Sequence, residues 1–524
     1  MARAGYTKAR PPGSLGPAVT PDKSAAKDGT SQAPPGRGLH QDDEDARRLE
    51  RLGYAQELLR AMGGFSSFAL SFSIISVLTG IVTTYDLAIS NGGPLGLGLG
   101  WPLVSLGTLF VALAMAELAS AFPTAGAMYH WAALFGGRGW GWFVAMMNLV
   151  GQVAIVSAID LGCAQQIVAT LGIDGTSKAW PWSGLHQGEG LVLPLFAVLV
   201  GSHAVLNLVS VRLVAWLNDL SAAVHVLGVV VLVALLLALG RVRPLGFVFE
   251  TGFTTRPDGA YGLGFANALL LGMWTFTGFD ASAHVSEETH DPSRRAPWGI
   301  VSSVVVSGVA GYALVIALTL GIRNLPAIAK DKHPALSILQ GALGARTGDL
   351  AMGLAILAMW FCGLAAVTST SRTLYAFARD GGLPGSRSLC KVSPRQRTPH
   401  VAILVATLSP LLLGLLGALL SEDQFLAVAS LATTALYVSY GVPIALGALA
   451  RHRGDWKTLG PWNLGKAGLP IAWIATLWSV AVLATFALPH GGAFLALLAL
   501  VVAAVLALYL VFARKRFTGP RLGE

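Results

Sequence analysis

Charge is scarce in this sequence. Asp, Glu, Lys and Arg make up 12% of 524 residues, where a typical soluble domain carries roughly 25%. That shortage excludes an ordinary soluble globular protein. Cysteine is rarer still: Cys163 and Cys362 fall in apolar runs and Cys390 in a polar loop. No disulfide framework and no metal-binding cluster follows from three such positions. The common chemistry motifs are missing as well. There is no GxxxxGKS/T phosphate loop, which argues against ATP-driven work within this chain, and no HExxH or GxSxG. The chain is therefore read as no enzyme, with no cofactor and no metal. No charged start runs into an apolar core with a small-residue cleavage site, so no cleavable signal peptide is expected.

What is present is hydrophobic length. Hydrophobic residues reach 54% and there are 62 glycines, a composition that suits close-packed helices in a lipid bilayer. A helix needs roughly 17 to 25 apolar residues to cross hydrocarbon, and about twelve such runs are found by that criterion. They centre near Ile74, Phe110, Val153, Val200, Val230, Leu271, Ala310, Ala358, Leu411, Leu436, Ala481 and Leu500. Residues 1–57 are Pro/Gly-rich and mixed in charge, and are expected to form a disordered tail, with a short amphipathic helix near Glu44 to Met62.

Basic residues then set the orientation. Arg372, Arg379, Arg387, Lys391, Arg395 and Arg397 share one loop, Arg451, Arg453, Lys457 and Lys466 another, and Arg514, Lys515 and Arg516 the C-terminal end. All three lie on one side if every run crosses once, and that side is expected to be cytoplasmic. With an even number of spans both termini are cytoplasmic. The net charge of +9 thus reads as topology rather than as a nucleic-acid surface.

Two runs break their own pattern. The first, SFSIISVLTGIVTTYD, is interrupted by hydroxyl residues and Thr79-Gly80, and the sixth, WTFTGFDASAHVSEET, by Thr277-Gly278 and Asp280. A small-residue packing face would explain either Thr-Gly pair alone. Together they fall five spans apart, and an odd number of spans per half makes the second half enter the membrane from the opposite side. That is the inverted repeat of many secondary transporters, in which paired discontinuous helices build a substrate site at mid-membrane. Half-helix N-termini offer positive charge to a carboxylate there, and C-terminal ends offer carbonyls to a cation.

The sequence resembles the amino acid–polyamine–organocation permeases, most closely their amino acid/choline branch, which includes fungal GABA and choline permeases. The resemblance rests on SFSIISVLTGI from Ser71, SNGGP from Ser90, AELASAFPTAGAMYHWAA from Ala116, GFDASAHVSEET from Gly278 and SRTLYAFARDGGLPGS from Ser371. It covers about Leu58 to Phe512. It implies an all-α membrane fold of about twelve transmembrane helices, leucine-transporter-like, with a 5+5 inverted repeat in residues 58–450 and two extra C-terminal helices in residues 451–524. It also implies where a substrate sits. The amino acid carboxylate would meet the backbone of Ser76, Val77, Leu78, Thr79 and Gly80. Its amino group would meet Phe276, Thr277, Gly278, Phe279 and Asp280, with Phe276 and Phe279 closing the pocket.

Individual polar residues carry further expectations. A carboxylate at mid-membrane costs roughly 2.5–3.5 kcal/mol on insertion scales, so Asp280 either attracts an ammonium, carries a coupling proton, or pairs with His284 one turn on. Asp160, in the third span, faces the same cavity or caps a polar patch with Gln165 or Gln166. His225, in the fifth span, falls near the lysine that replaces sodium in some bacterial relatives, and histidine titrates near neutral pH. Thr368, Ser369, Thr370 and Ser371 would suit a sodium cage, the second choice of coupling ion after H+. Glu287 and Glu288 either form an inner gate with Arg372 or Arg379 or simply end a solvated helix. Trp131 and Trp140 are placed as interfacial anchors. The expected function is secondary active transport of an amino acid or related amine, GABA-like, across the plasma membrane by alternating access. An amino acid/polyamine exchanger, a choline permease and a transporter-like sensor are the alternatives.

Overall fold

The computed structural model describes residues 38–172, 190–420, 423–487 and 491–520. Within them eleven helices are long and apolar enough to cross a membrane. The twelfth expected run, the sixth in order, is in pieces: Tyr261–Ala268, Leu270–Thr275 and Ala281–His284. Every one of the twelve expected centres falls on one of these segments. The all-α membrane architecture anticipated from the sequence is therefore the architecture observed.

The burial pattern is that of a protein solvated by lipid. Leucines and valines face outward on the fourth, fifth, ninth, eleventh and twelfth spans, with Val511 81% exposed. Serines and threonines fill the interior instead: Ser67, Ser71, Ser73, Ser76, Thr368, Ser369, Thr370 and Ser371 are all fully buried. All of these hydroxyls but that of Ser67 find partners inside the bundle, the only place at that depth where a polar group escapes hydrocarbon. The third span, Arg138–Thr170, and the tenth, Gln424–Arg453, form the most extensively packed pair.

The first span consists of two half-helices, Gly64–Ile75 and Val77–Gly98, separated by Ser76. Ser76 has φ 31° and ψ 82°, a left-handed conformation that costs a non-glycine residue roughly 1–2 kcal/mol. The break falls three residues before the expected Thr79-Gly80, which instead lie in the first turn of the second half. A second kink follows at Gly93 (φ 59°), just before Pro94. The motif SNGGP is thus the turn from the first span into the second.

The sixth span breaks where expected, over Phe276 to Asp280, with Gly278 at φ 86°. The two broken spans lie side by side and antiparallel. Gly80 abuts Thr275, while Gly278 abuts Ile74, and a Cβ on either glycine would occupy the neighbour's position. Two glycines with different duties thus let the breaks touch: Gly80 by its small size, Gly278 by size and by its positive φ.

Three expectations at the ends need correction. The amphipathic helix spans Gly38–Arg51 rather than Glu44 to Met62. Residues 1–37 lie outside the described residues, but the stretch from Tyr54 to Met62 is ordered against the bundle, with Tyr54, Leu58 and Met62 buried. Trp131 is buried and donates its indole N–H to the Phe122 carbonyl at 3.0 Å; only Trp140 is exposed. Trp131 therefore packs the interior instead of anchoring at an interface. The first and last parts of the described residues meet one face, Tyr54 bonding Asp380 and Phe517 packing on Phe377.

Gly278→Ala is expected to lower stability by about 1–2 kcal/mol through its backbone conformation alone, and by more through Ile74. Gly262→Ala, with nothing within 4 Å, should be nearly neutral. Thermal unfolding of the purified protein in detergent checks this; equal Tm values for the two variants would contradict the packing described.

Candidate functional site

The seam between the two broken spans is made of hydroxyls. Ser71 Oγ lies 2.9 Å from the Phe279 carbonyl and 2.7 Å from Ser282 Oγ. The Ser282 N–H donates to Ser71 Oγ at 2.9 Å, and Ser282 Oγ donates to the Ser67 carbonyl at 2.6 Å. These groups replace the ladder that the broken helices lost.

At the first break Ser76 caps the half-helix that follows it. Its Oγ accepts from the Thr79 N–H at 3.2 Å and lies 2.6 Å from Thr79 Oγ1. It also lies 2.7 Å from His225 Nε2, while His225 Nδ1 lies 2.8 Å from the Ser221 carbonyl. A carbonyl can only accept, so Nδ1 carries the proton and Nε2 accepts from the Ser76 hydroxyl. A neutral His225 is therefore satisfied at both nitrogens. The amides of Val77 and Leu78 open the second half-helix, at the positive end of its dipole.

At the second break Asp280 collects donors from three other positions. Tyr440 donates to Oδ1 at 2.7 Å, and its oxygen accepts from the Gly278 N–H at 3.3 Å. Oδ2 faces His284 Nε2 at 3.1 Å and Gln152 Nε2 at 3.4 Å. The i+4 pairing with His284 anticipated from spacing is present. His284 Nδ1 faces the Ala125 carbonyl at 3.2 Å, so with an acceptor at each nitrogen this pair must hold a proton between ring and carboxyl. Phe276 packs on Trp101 with centroids 5.1 Å apart, and Phe279 on Tyr440 at 5.0 Å. Thr277 turns inward, its hydroxyl donating to the Trp274 carbonyl at 2.8 Å. Sequence reasoning missed Tyr440 and Gln152; neither sits in a pattern that distinguishes it from other polar residues of apolar spans.

Below the sixth span, at the face that carries Tyr54 and Phe517, two buried ion pairs close the bundle. Arg379 meets Glu287 through its two terminal guanidinium nitrogens at 2.8 Å each, and Arg372 meets Glu288 at 2.8 Å and 3.3 Å. Each glutamate thus takes one of the two arginines considered. The chain from Tyr54 to Met62 is laced over them. Gln56 donates to the Glu287 carbonyl at 2.8 Å, and Ala61 and Met62 N–H groups donate to the Glu288 carbonyl at 3.0 Å. The Tyr54 ring lies under the Arg379 guanidinium at 4.1 Å, a cation–π contact. Asp380 accepts from Tyr54 at 2.8 Å and from Tyr129; burial pushes its carboxyl up from the ordinary range, and these hydroxyls act against that shift.

The remaining polar candidates separate. Asp160 meets neither Gln165 nor Gln166; its Oδ1 lies 3.0 Å from His203 Nε2, and Gln166 instead faces His333. Burial pushes His333, which lies in a connecting loop, down from the usual histidine range. Thr370 Oγ1 donates to the Ala366 carbonyl at 2.8 Å, and Ser371 Oγ to the Thr368 carbonyl at 2.8 Å. Among the described residues no group of three or more His, Cys, Asp or Glu is placed to hold a metal ion.

Residues 62–516 match the family described as amino acid permease. The chain is 34% identical over 508 residues to the amino-acid permease BAT1 of Arabidopsis thaliana, covering 91% of this chain and 96% of that one. It is similar to a rice homolog of that permease at 34% over 467 residues, covering 85% and 88%. It is also similar to the GABA-specific permease of Saccharomyces cerevisiae, 29% identical over 467 residues, covering 85% and 79%.

Glu288→Ala would strand a buried Arg372, a defect that costs about 3–5 kcal/mol when a buried pair is broken on one side. A large fall in Tm in detergent is expected. An unchanged Tm would contradict burial of this pair.

Proposed function

The chain belongs to the amino acid permease family, multi-pass membrane carriers rather than enzymes, and from that premise we propose that it takes up a GABA-like amino acid by proton-coupled alternating access. The observation that carries this reading is the pair of touching breaks. Two antiparallel spans lose their helix beside each other, within a bundle whose interior is polar and whose outside is apolar. Such breaks persist in hydrocarbon only where they serve a cavity or a ligand.

In this reading the substrate carboxylate meets the backbone from Ser76 to Gly80, at the positive end of the second half-helix. Its ammonium meets Phe276 to Asp280, where unwound carbonyls and the Asp280 carboxyl supply negative charge. Phe276 and Phe279 close over it, and Tyr440 fixes the carboxyl. His225 acts as a positioning residue: satisfied at both nitrogens, it holds Ser76 and hence the break. Asp160 is the coupling carboxyl. Thr370 forms part of the packing between the third and eighth spans around Gln152, and Ser371 accepts from the Arg372 guanidinium. The ion pairs of Glu287 and Glu288 form an inner gate, and the membrane is the plasma membrane, with both termini in the cytoplasm. A closed inner gate faces the substrate site outward.

Labelled GABA uptake into proteoliposomes, with and without an inward proton gradient, tests this. Unlabelled amino acids, choline and putrescine serve as competitors. Gradient-stimulated uptake with amino acids ranked ahead of choline is expected; uptake only into preloaded vesicles would replace symport with exchange. Asp280→Asn should lower uptake by roughly tenfold or more, the scale of one charge-assisted contact, about 1.5–3 kcal/mol; normal kinetics would contradict its role. His225→Ala should slow uptake but keep its pH dependence. Loss of that dependence would return the coupling proton to His225.

A further inference from the structure

Asp160 and His203 are both fully buried, and they form a pair that no motif announces. Asp160 lies in the third span; His203 lies within the fourth, Val192–Val209. The pair is held against the eighth span, where Gly363 is so close that a Cβ would strike Asp160 Oδ1 and His203 Nε2. Their single contact, 3.0 Å, uses one atom of each residue. Among the described residues Asp160 Oδ2 and His203 Nδ1 have no hydrogen-bond partner, nor has Ser157 Oγ, one turn before Asp160.

Comparison with the other buried candidates decides which group carries the proton. Asp280 accepts from Tyr440, His284 and Gln152, and His225 is satisfied at both nitrogens. Asp160 has one donor. A buried carboxylate with one donor and a bare oxygen is less well satisfied than Asp280, and His225 is already complete as a neutral ring, so Asp160 gains most from taking up a proton. Cys163 on its own helix and Cys362 on the eighth span lie within its electrostatic reach. Among the described residues no Lys or Arg forms an ion pair with it.

The pair is also wired to both moving parts. Cys362, beside Gly363, donates its thiol to the Ile74 carbonyl at 3.2 Å, at the end of the first half-helix. One turn after His203, Asn207 donates to the His203 carbonyl at 3.0 Å and accepts from Thr368 at 2.8 Å and from Arg372 at 3.5 Å. Arg372 is the gate arginine that holds Glu288.

We propose that Asp160 and His203 together bind the coupling proton, and that their occupancy biases the first-span break through the eighth span and the inner gate through Asn207. This rests on the proton-coupled reading above. Proton arrival neutralises the pair, which loosens its hold across Gly363 without leaving a bare buried charge.

Asp160→Asn and His203→Gln are compared with wild type in proteoliposomes, using labelled GABA or the amino acid the competition panel ranks first. Two rates are read: exchange into preloaded vesicles without a gradient, and accumulation driven by an inward proton gradient. The expected result is exchange near the wild-type rate with no stimulation by the gradient in either variant. Variants still stimulated as wild type would overturn the proposal and leave the carrier reading intact. A wild type that shows no stimulation would overturn the proton-coupled reading and this proposal with it. Loss of exchange as well, in variants that remain monodisperse, would make the pair structural only and overturn the assignment. If Asp160→Asn is not recovered folded, His203→Gln carries the same test.

Discussion

Everything in this structure depends on one constraint: a backbone N–H or C=O set loose in hydrocarbon must be satisfied inside the bundle. The first and sixth spans each set several loose, and the surrounding spans are arranged to answer them. Ser76 turns its own hydroxyl onto Thr79 and recruits His225 from the fifth span. Tyr440 reaches from the tenth span to the Gly278 N–H and to Asp280. Ser71 on the first span replaces part of the missing ladder of the sixth. The breaks are thus stabilised by each other and by side chains on the fifth and tenth spans, which makes them a property of the whole fold.

The same reasoning explains the face that carries Tyr54 and Phe517. The sixth span ends in two glutamates that are buried, and a buried carboxylate survives only with a partner. Arg372 and Arg379 supply charge from the eighth span, and the ordered segment from Tyr54 to Met62 supplies amides, a ring and further hydrogen bonds. Opening this face therefore requires two ion pairs and a laced segment of chain to separate together. A closed state held by many modest contacts is one that a substrate or proton shifts by changing only some of them.

Much of this was legible in the sequence, and the residues show why the rest was not. Apolar length located all twelve spans, because that signal is local and strong. The sixth break was legible from Thr277-Gly278 because glycine marks a positive φ; the first was displaced to Ser76, where a serine takes a conformation that its residue type does not advertise. The i+4 pair of Asp280 and His284 was readable from spacing alone. The partner of Asp160 was not, since His203 lies on another helix inside an unremarkable apolar run. Tyr440, Gln152 and the ordered tail were missed for the same reason: their importance lies in what they face, and only the packing of distant spans determines that.

The central claim is that the two breaks together form the substrate site. A cryo-EM structure of the purified protein with the transported amino acid bound tests it most directly. The account predicts ligand density between Ser76–Gly80 and Phe276–Asp280, with the carboxylate toward the Val77 and Leu78 amides and the ammonium toward the Asp280 side. Density lodged elsewhere in the bundle, with both breaks unchanged and unoccupied, would contradict it.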